Sequence, residues 1–327
     1  MIDSLKIFIV GSSRSGTTMM GRILGKNKNI FTFQELHFFG TIWTNATNQE
    51  LNQDDQIDLL ARLFCIQEHG FFNQNQYVFF RDKAKKSLKK DLKYPLEIYK
   101  FFLESVTKEN GAQIPCEQTP KNLYYLHEIL NFFPNARIIN LVRDQRDVLL
   151  SQKNKWKRKF LGASTLPFWE SFRSFINYHP ILTSKVWNAS LSHTMNYVEH
   201  PHVKIIKFED LLNNPEVEIK DICDFLSIDF QKEMLEVPVI GSSTESDSKL
   251  DLFIDSSTVL ELNDIIKDLD EYIEGGADNQ HKQLREAYGH IPKPQARKIK
   301  VYLYDILEDA WRYSHERRPG RRKKQSK

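Results

Sequence analysis

Leu5-Lys6-Ile7-Phe8-Ile9-Val10-Gly11-Ser12-Ser13-Arg14-Ser15-Gly16-Thr17-Thr18 runs from a short apolar strand into a glycine-bracketed loop and on into the start of a helix. Gly11 and Gly16 let the backbone turn tightly and approach a ligand, so that successive N–H groups point at anionic oxygens. The helix is predicted over Thr17 to Lys26. Met20, Ile23 and Leu24 share one face, Gly25 stands near the end, and the positive dipole end faces the same anion. Arg14 adds a charge inside the loop. Strand, glycine turn, basic residue and hydroxyl-started helix in this order make a phosphate cradle, with Ser13, Arg14, Ser15, Gly16, Thr17 and Thr18 as its candidate contacts.

The two glycines have the spacing of the nucleotide-binding P-loop, but Thr17 stands where that loop carries the lysine used on triphosphates. Outward from this point, strands alternate with helices. The fold expected is α/β, a three-layer sandwich with a mainly parallel central sheet, P-loop NTPase-like, with helical insertions. Ile30 to Phe33 is a short second strand ending at Gln34-Glu35, and residues 41 to 110 read as largely helical. The clearest helix there starts at Pro95, buries Ile98, Phe102, Leu103 and Val106, and stops at Asn110-Gly111. Gln113 to Cys116 is a strand candidate that Pro115 assigns to a sheet edge or a strand start. Pro120 to Phe133 is a helix, Arg137 to Val142 a buried strand followed by a helix through Lys157, and Val203 to Phe208 another strand before helix from Glu209. Residues 250–273 and 297–313 also read as helical. One domain over 1–315 is expected, with helical insertions at about 41–110 and 152–200, followed by a basic, disordered tail at 316–327.

The 327 residues, 40% hydrophobic, suffice for a sizeable core. No run of about eighteen apolar residues occurs, so no transmembrane helix is expected. The first strand begins close to Met1 without a leader pattern, and Cys65, Cys116 and Cys223 are odd in number and scattered. Both point to a cytoplasmic protein with free thiols, and no cysteine has metal-ligand spacing. Seven of the last eleven residues are Lys or Arg, so the rest of the chain carries −4 against +3 for the whole. The tail is a solvated terminus or a weak contact for anionic surfaces.

A second site lies after the 137–142 strand. Arg143 leaves its carboxyl end, where ligands of parallel α/β sheets bind, and Ser151 follows on the next helix. An arginine fork with a nearby hydroxyl makes a phosphate clamp. The stretch Arg143-Asp144-Gln145-Arg146-Asp147 also reads as local ion pairs with an aspartate capping the helix.

Together these residues resemble the sulfotransferase family. Gly11 to Thr18 looks like its 5′-phosphosulfate loop, and Arg143 with Ser151 looks like its 3′-phosphate motif. Further similarity appears in Glu117-Gln118-Thr119-Pro120-Lys121-Asn122-Leu123, in Phe133-Pro134 leading to Leu141-Val142-Arg143-Asp144, and in Lys207 to Leu211 before Asn214-Pro215. The resemblance implies 3′-phosphoadenosine-5′-phosphosulfate (PAPS) as donor and adenosine 3′,5′-bisphosphate (PAP) as product, with no metal. Arg14 to Thr18 then hold the phosphosulfate, and Arg143 and Ser151 the 3′-phosphate. Arg14 also acts catalytically, on charge that develops at the bridging oxygen.

Sulfuryl transfer further needs a base for the acceptor hydroxyl or amine. Glu35, twenty-one residues after Arg14, looks like the catalytic glutamate of tyrosine-protein and related sulfotransferases, with its pKa raised by Phe38, Phe39 and Trp43. His37 is the rival base. Similar enzymes often carry a lysine where this chain has Gln118, and Lys121 is the nearby candidate to substitute for it. Glu117 is read as a substrate contact or a strand-end polar residue, and Ser243 as a late serine near the sulfonate. The acceptor itself, whether carbohydrate, lipid, phenol or peptide, is not legible. Two alternatives stand beside this reading. One is a P-loop nucleotide kinase or NTPase, with Asp144 as a Walker B-like metal ligand. The other is a non-catalytic nucleotide- or nucleic-acid-binding protein.

Overall fold

The apolar run Lys6–Gly11 forms strand β1, buried along its whole length. Successive side chains of a strand point to opposite faces, and here both faces are covered. Ile7 and Ile9 join one core cluster, Phe8 and Val10 the other. The computed structural model describes residues 5–88, 92–155, 174, 178–236 and 267. By backbone contacts the chain divides into two units, Met1–Lys153 with His179–Gly241 and Asn154–Tyr178 with Ser242–Lys327; the sheet and the candidate site belong to the first.

Five strands build one sheet: β1, β2 (Ile30–Thr32), β3 (Ile114–Glu117), β4 (Ala136–Val142) and β5 (Val203–Lys207). All pairs are parallel and the order is β2-β3-β1-β4-β5, so β1 lies at the centre and the α/β expectation holds. β1 and β4 pair from Lys6↔Ala136 to Gly11↔Leu141. Because every strand runs the same way, the segments after Gly11, Thr32, Glu117, Val142 and Lys207 all leave from one edge.

β3 corrects the edge expectation for its proline. Pro115 pairs with Phe31 in an interior strand, but the ladder to β1 begins one residue later at Ile7↔Cys116. The missing N–H therefore costs the β1 ladder nothing, and Pro115 satisfies the alternative expectation of a strand start.

On one face, α1 (Thr17–Leu24) buries Met20, Ile23 and Leu24. It ends two residues earlier than its periodicity predicts, at Leu24, with the Gly25 N–H bonded to Gly21 O at 2.9 Å. The opposite face is covered by α2 (Gln53–His69), α4 (Pro95–Glu109) and α5 (Leu126–Phe132), with the short α3 (Arg81–Ser87) beside α2. α4 begins where Pro95 predicts, and the Glu97 carboxylate accepts from Tyr94 N at 3.1 Å as its cap. Residues 45–47 and 71–80 are 3-10 turns, so the stretch 41–110 is helical for most of its described length.

Past β4 come α6 (Gln145–Lys153), α7 (Pro180–Met195), β5, α8 (Phe208–Asn213) and α9 (Pro215–Leu226). Phe208, predicted as the last residue of a strand, is instead the first of α8. The cysteines are all buried and free. Among the described residues, no helix is long and apolar enough to cross a membrane, and no group of three or more His, Cys, Asp or Glu could hold a metal ion. Apart from residue 267, which is helical, the helices expected at 250–273 and 297–313, the 156–157 end of the helix after β4, Ser243 and the basic tail lie outside the described residues.

Candidate functional site

At the end of β1 the chain passes through two left-handed residues, Arg14 at φ 74° and Gly16 at φ 95°, on either side of Ser15. Such alternation turns neighbouring N–H groups inward toward an anion. Gly16 is required here for a second reason: a Cβ at this position would lie 2.3 Å from the ring of Phe208. Gly11 is equally committed, since its Cβ would meet Leu141 O at 2.3 Å. Ser15 N closes the turn on Ser12 O at 3.1 Å. The Ser15 hydroxyl is fully buried without a hydrogen-bond partner, and Thr17, the first residue of α1, is buried beside it.

The residues after β4 fold onto this loop. Arg143 Nη1 donates to the carbonyl of Arg14 at 3.2 Å, and the guanidinium lies 4.5 Å over the Phe208 ring. Its Nη2 stands 3.7 Å from Asp147, while its Nε is buried without a partner. Arg14 Nε donates to Ser151 Oγ at 2.9 Å. Ser151 is presented by the same face of α6 that buries Val148, three residues earlier. The two predicted devices, the loop and the Arg143/Ser151 pair, are thus one site.

Arg143 and Asp144 take separate roles. Asp144 Oδ1 accepts from Arg146 N at 2.8 Å and so caps α6, and its carboxylate also binds the Arg146 guanidinium. Those hydrogen bonds pull its pKa down to about 2. The stretch thus holds two local ion pairs, Asp144 with Arg146 and Arg143 with Asp147, and the Asp144 carboxylate is committed to protein donors. Three residues outside the predicted contacts support the arrangement. Phe208 fills the space over Gly16, Glu209 accepts from Asp144 N at 2.9 Å, and Trp187 Nε1 donates to Arg143 O at 3.0 Å. Phe208 and Glu209 had one signal available, since they follow a strand whose carboxyl end reaches this edge.

A second cluster sits where the chain leaves β2 and β3. Glu35, with a side chain 40% exposed, lies 3.3 Å from His37 Nε2, and the His37 ring packs on Phe71 at 4.6 Å. Phe38, Phe39 and Trp43 do not surround Glu35 as expected. They turn into the core against Tyr99 and Tyr125, where aromatic rings pack on one another, while Glu35 stays at the surface. The carboxylate that burial does reach is Glu117, 1% exposed, whose pKa is pushed up to about 7 against the pull of its hydrogen bonds. It faces Leu36, Thr119 and Asn122, which donate to it, so the side chain expected as a substrate contact or a strand-end polar residue is buried.

Gln118 points at α1. Its Oε1 has no hydrogen-bond partner, and a Cβ on Gly21 would lie 2.4 Å from it. Lys121 is exposed.

An anion fits the first cluster on the chemistry of its donors. It offers the start of an eight-residue helix, inward N–H groups, two arginines and two orphaned buried polar atoms, Ser15 Oγ and Arg143 Nε.

Comparison with known proteins adds a family. The family model described as "Sulfotransferase family" matches residues 6–232. Cytosolic sulfotransferase 1 of Arabidopsis thaliana is 28% identical over 103 residues, 30% of each chain. A putative protein-tyrosine sulfotransferase of Caenorhabditis briggsae is 25% identical over 138 residues, 41% of this chain and 45% of that one. The match thus spans less than half the length of these relatives. Among solved structures, the sulfotransferase domain from the curacin biosynthetic pathway aligns over 71% of this chain and 77% of its own, with 21% identity and a TM-score of 0.45.

Proposed function

The chain belongs to the sulfotransferase family, and we propose that it moves a sulfuryl group from PAPS to a hydroxyl or amine of an acceptor, releasing PAP. The observation that carries this reading is the union of loop and clamp. Arg143 bonds the Arg14 carbonyl and Arg14 bonds Ser151, at the edge where a parallel sheet binds ligands.

In this reading the donor supplies sulfur already activated as a phosphosulfate anhydride. Ser13 to Thr18 bind the phosphosulfate through backbone N–H groups and hydroxyls, and Arg14 stabilises the negative charge left on the 5′-phosphate oxygen. Arg143 and Ser151 hold the 3′-phosphate, which ATP lacks. Glu35 takes the acceptor proton, with His37 orienting its carboxylate from 3.3 Å. Lys121, in place of the lysine missing at Gln118, and Ser243, near the sulfonate, remain proposed contacts to the donor. The kinase alternative is disfavoured by Thr17 in the lysine position and by the commitment of Asp144 to Arg146.

Calorimetry with PAP, with ATP and magnesium, and with a DNA oligomer tests the reading. PAP is expected to bind and the other two to bind weakly or not at all; preference for ATP overturns it. A screen of sugars, lipids, phenols and peptides with sulfur-labelled donor then identifies the acceptor.

A further inference from the structure

Glu117 ends β3 beside Phe8 of β1, in a place where an ionised carboxylate is costly unless its oxygens are filled. They are filled four times over. Leu36 N and Thr119 Oγ1 donate to Oε1, while Thr119 N and Asn122 Nδ2 donate to Oε2. Two carboxylate oxygens accept about four hydrogen bonds, so this set is complete. Thr119 Oγ1 has a second task, since it accepts from His37 N at 3.1 Å. The hydroxyl gives its proton to Glu117 and its lone pair to the backbone of His37.

The backbone so gripped is the turn that carries the proposed base. Leu36 is fully buried between Glu35 and His37, whose side chains meet outside. His37 sits at φ 49°, a left-handed conformation that is strained for a residue with a Cβ. Strain of this kind persists only where the surroundings over-determine it. The bonds at Leu36 N and His37 N are the device that does so.

We propose that Glu117 and Thr119 are positioning residues: they hold the strained turn at Leu36-His37 from below and thereby aim the Glu35/His37 pair at the acceptor. This rests on the sulfotransferase reading for the word acceptor, but the clamp itself does not. Gln at position 117 would present one acceptor oxygen and two donors to a nest of four donors, so the grip is lost while the volume is kept. Val at position 119 removes the shared hydroxyl, and Ser keeps it.

The test uses the full chain and three variants, Glu117→Gln, Thr119→Val and Thr119→Ser. Amide hydrogen exchange is read for the segment holding Leu36 and His37, with β1 as internal reference. The expected result is at least about tenfold faster exchange at 36–37 in Thr119→Val and Glu117→Gln, unchanged exchange in β1, and recovery in Thr119→Ser. PAP affinity stays within about twofold of the parent, while transfer to the acceptor found by the labelled-donor screen falls at least about tenfold in kcat. Unchanged exchange at 36–37 in Thr119→Val overturns the proposal, as does faster exchange throughout the sheet. Failure of the parent chain to bind PAP overturns the sulfotransferase reading instead, and the exchange result still decides the clamp.

Discussion

Arg14 Nε lies 2.9 Å from Ser151 Oγ, a hydrogen bond that spans 137 residues of chain and ties the loop after β1 to the helix after β4. The residues proposed for the two phosphate ends of the donor are therefore linked to each other directly. Arg143 strengthens the link from the other side through the Arg14 carbonyl.

Arg143→Ala should separate the two ends. It is expected to weaken PAP by about tenfold or more while scarcely changing the affinity of adenosine 5′-monophosphate, which lacks the 3′-phosphate. Titration calorimetry of both ligands reads the difference; equal losses would contradict the assignment.

Glu35→Gln keeps the volume of the side chain and removes its basicity. Donor binding should stay near normal and turnover should fall by about 10²-fold, the usual scale for a positioned base. Full activity in this variant, with loss in His37→Gln, would move the base to His37.

Gly16→Ala tests the loop geometry. The new methyl must stand at φ 95° and displace the Phe208 ring on which the Arg143 guanidinium lies. A cost of about 1–2 kcal/mol from the backbone alone lowers Tm by several degrees in a chain of this size. PAP affinity should drop with it. Replacing Phe208 by Leu in the same chain should relieve the overlap only, leaving part of the Tm loss.

Glu117 makes the folded state sensitive to pH. Burial raises its pKa from 4.5 to about 7, so between these values the native chain binds more protons than the unfolded one. Because burial penalises the ionised carboxylate even with its four donors, stability is greatest below about 4.5 and falls as pH rises toward 7. The other titratable groups facing it are His37, Tyr99 and Cys116. Urea unfolding of the parent chain and of Glu117→Gln across pH 5 to 8 should give curves that differ in slope in this window. Parallel curves would show that Glu117 does not titrate there.

What the sequence made legible is what has a period or a spacing. Ile7 to Val10 and Ile138 to Leu141 announce buried strands, Pro95 announces a helix start, and the glycines of the loop announce an anion. Arg143 and Ser151 were found because they follow a recognisable strand. Phe208 over Gly16 was not, since a ring lying on a glycine from the far end of the sheet leaves no local pattern. The Glu117 cluster was missed for the same reason, as Leu36 and Glu117 are 81 residues apart. Phe38, Phe39 and Trp43 misled because closeness in sequence to Glu35 does not fix which way a side chain turns, and these rings pack into the core.

The central place of β1 has a consequence during synthesis. Of the five strands of the sheet, β1 leaves the ribosome before the others, yet its neighbours are β3 and β4, and its ladder cannot close until Leu141 has emerged. At ordinary elongation rates that delay is on the order of ten seconds, during which Ile7, Phe8, Ile9 and Val10 have no sheet to join. Parallel pairing at such sequence separation is also slow to nucleate. A nascent chain stalled before Ala136 should therefore be recovered bound to chaperone or aggregated, whereas one stalled well beyond Lys207 should resist proteolysis.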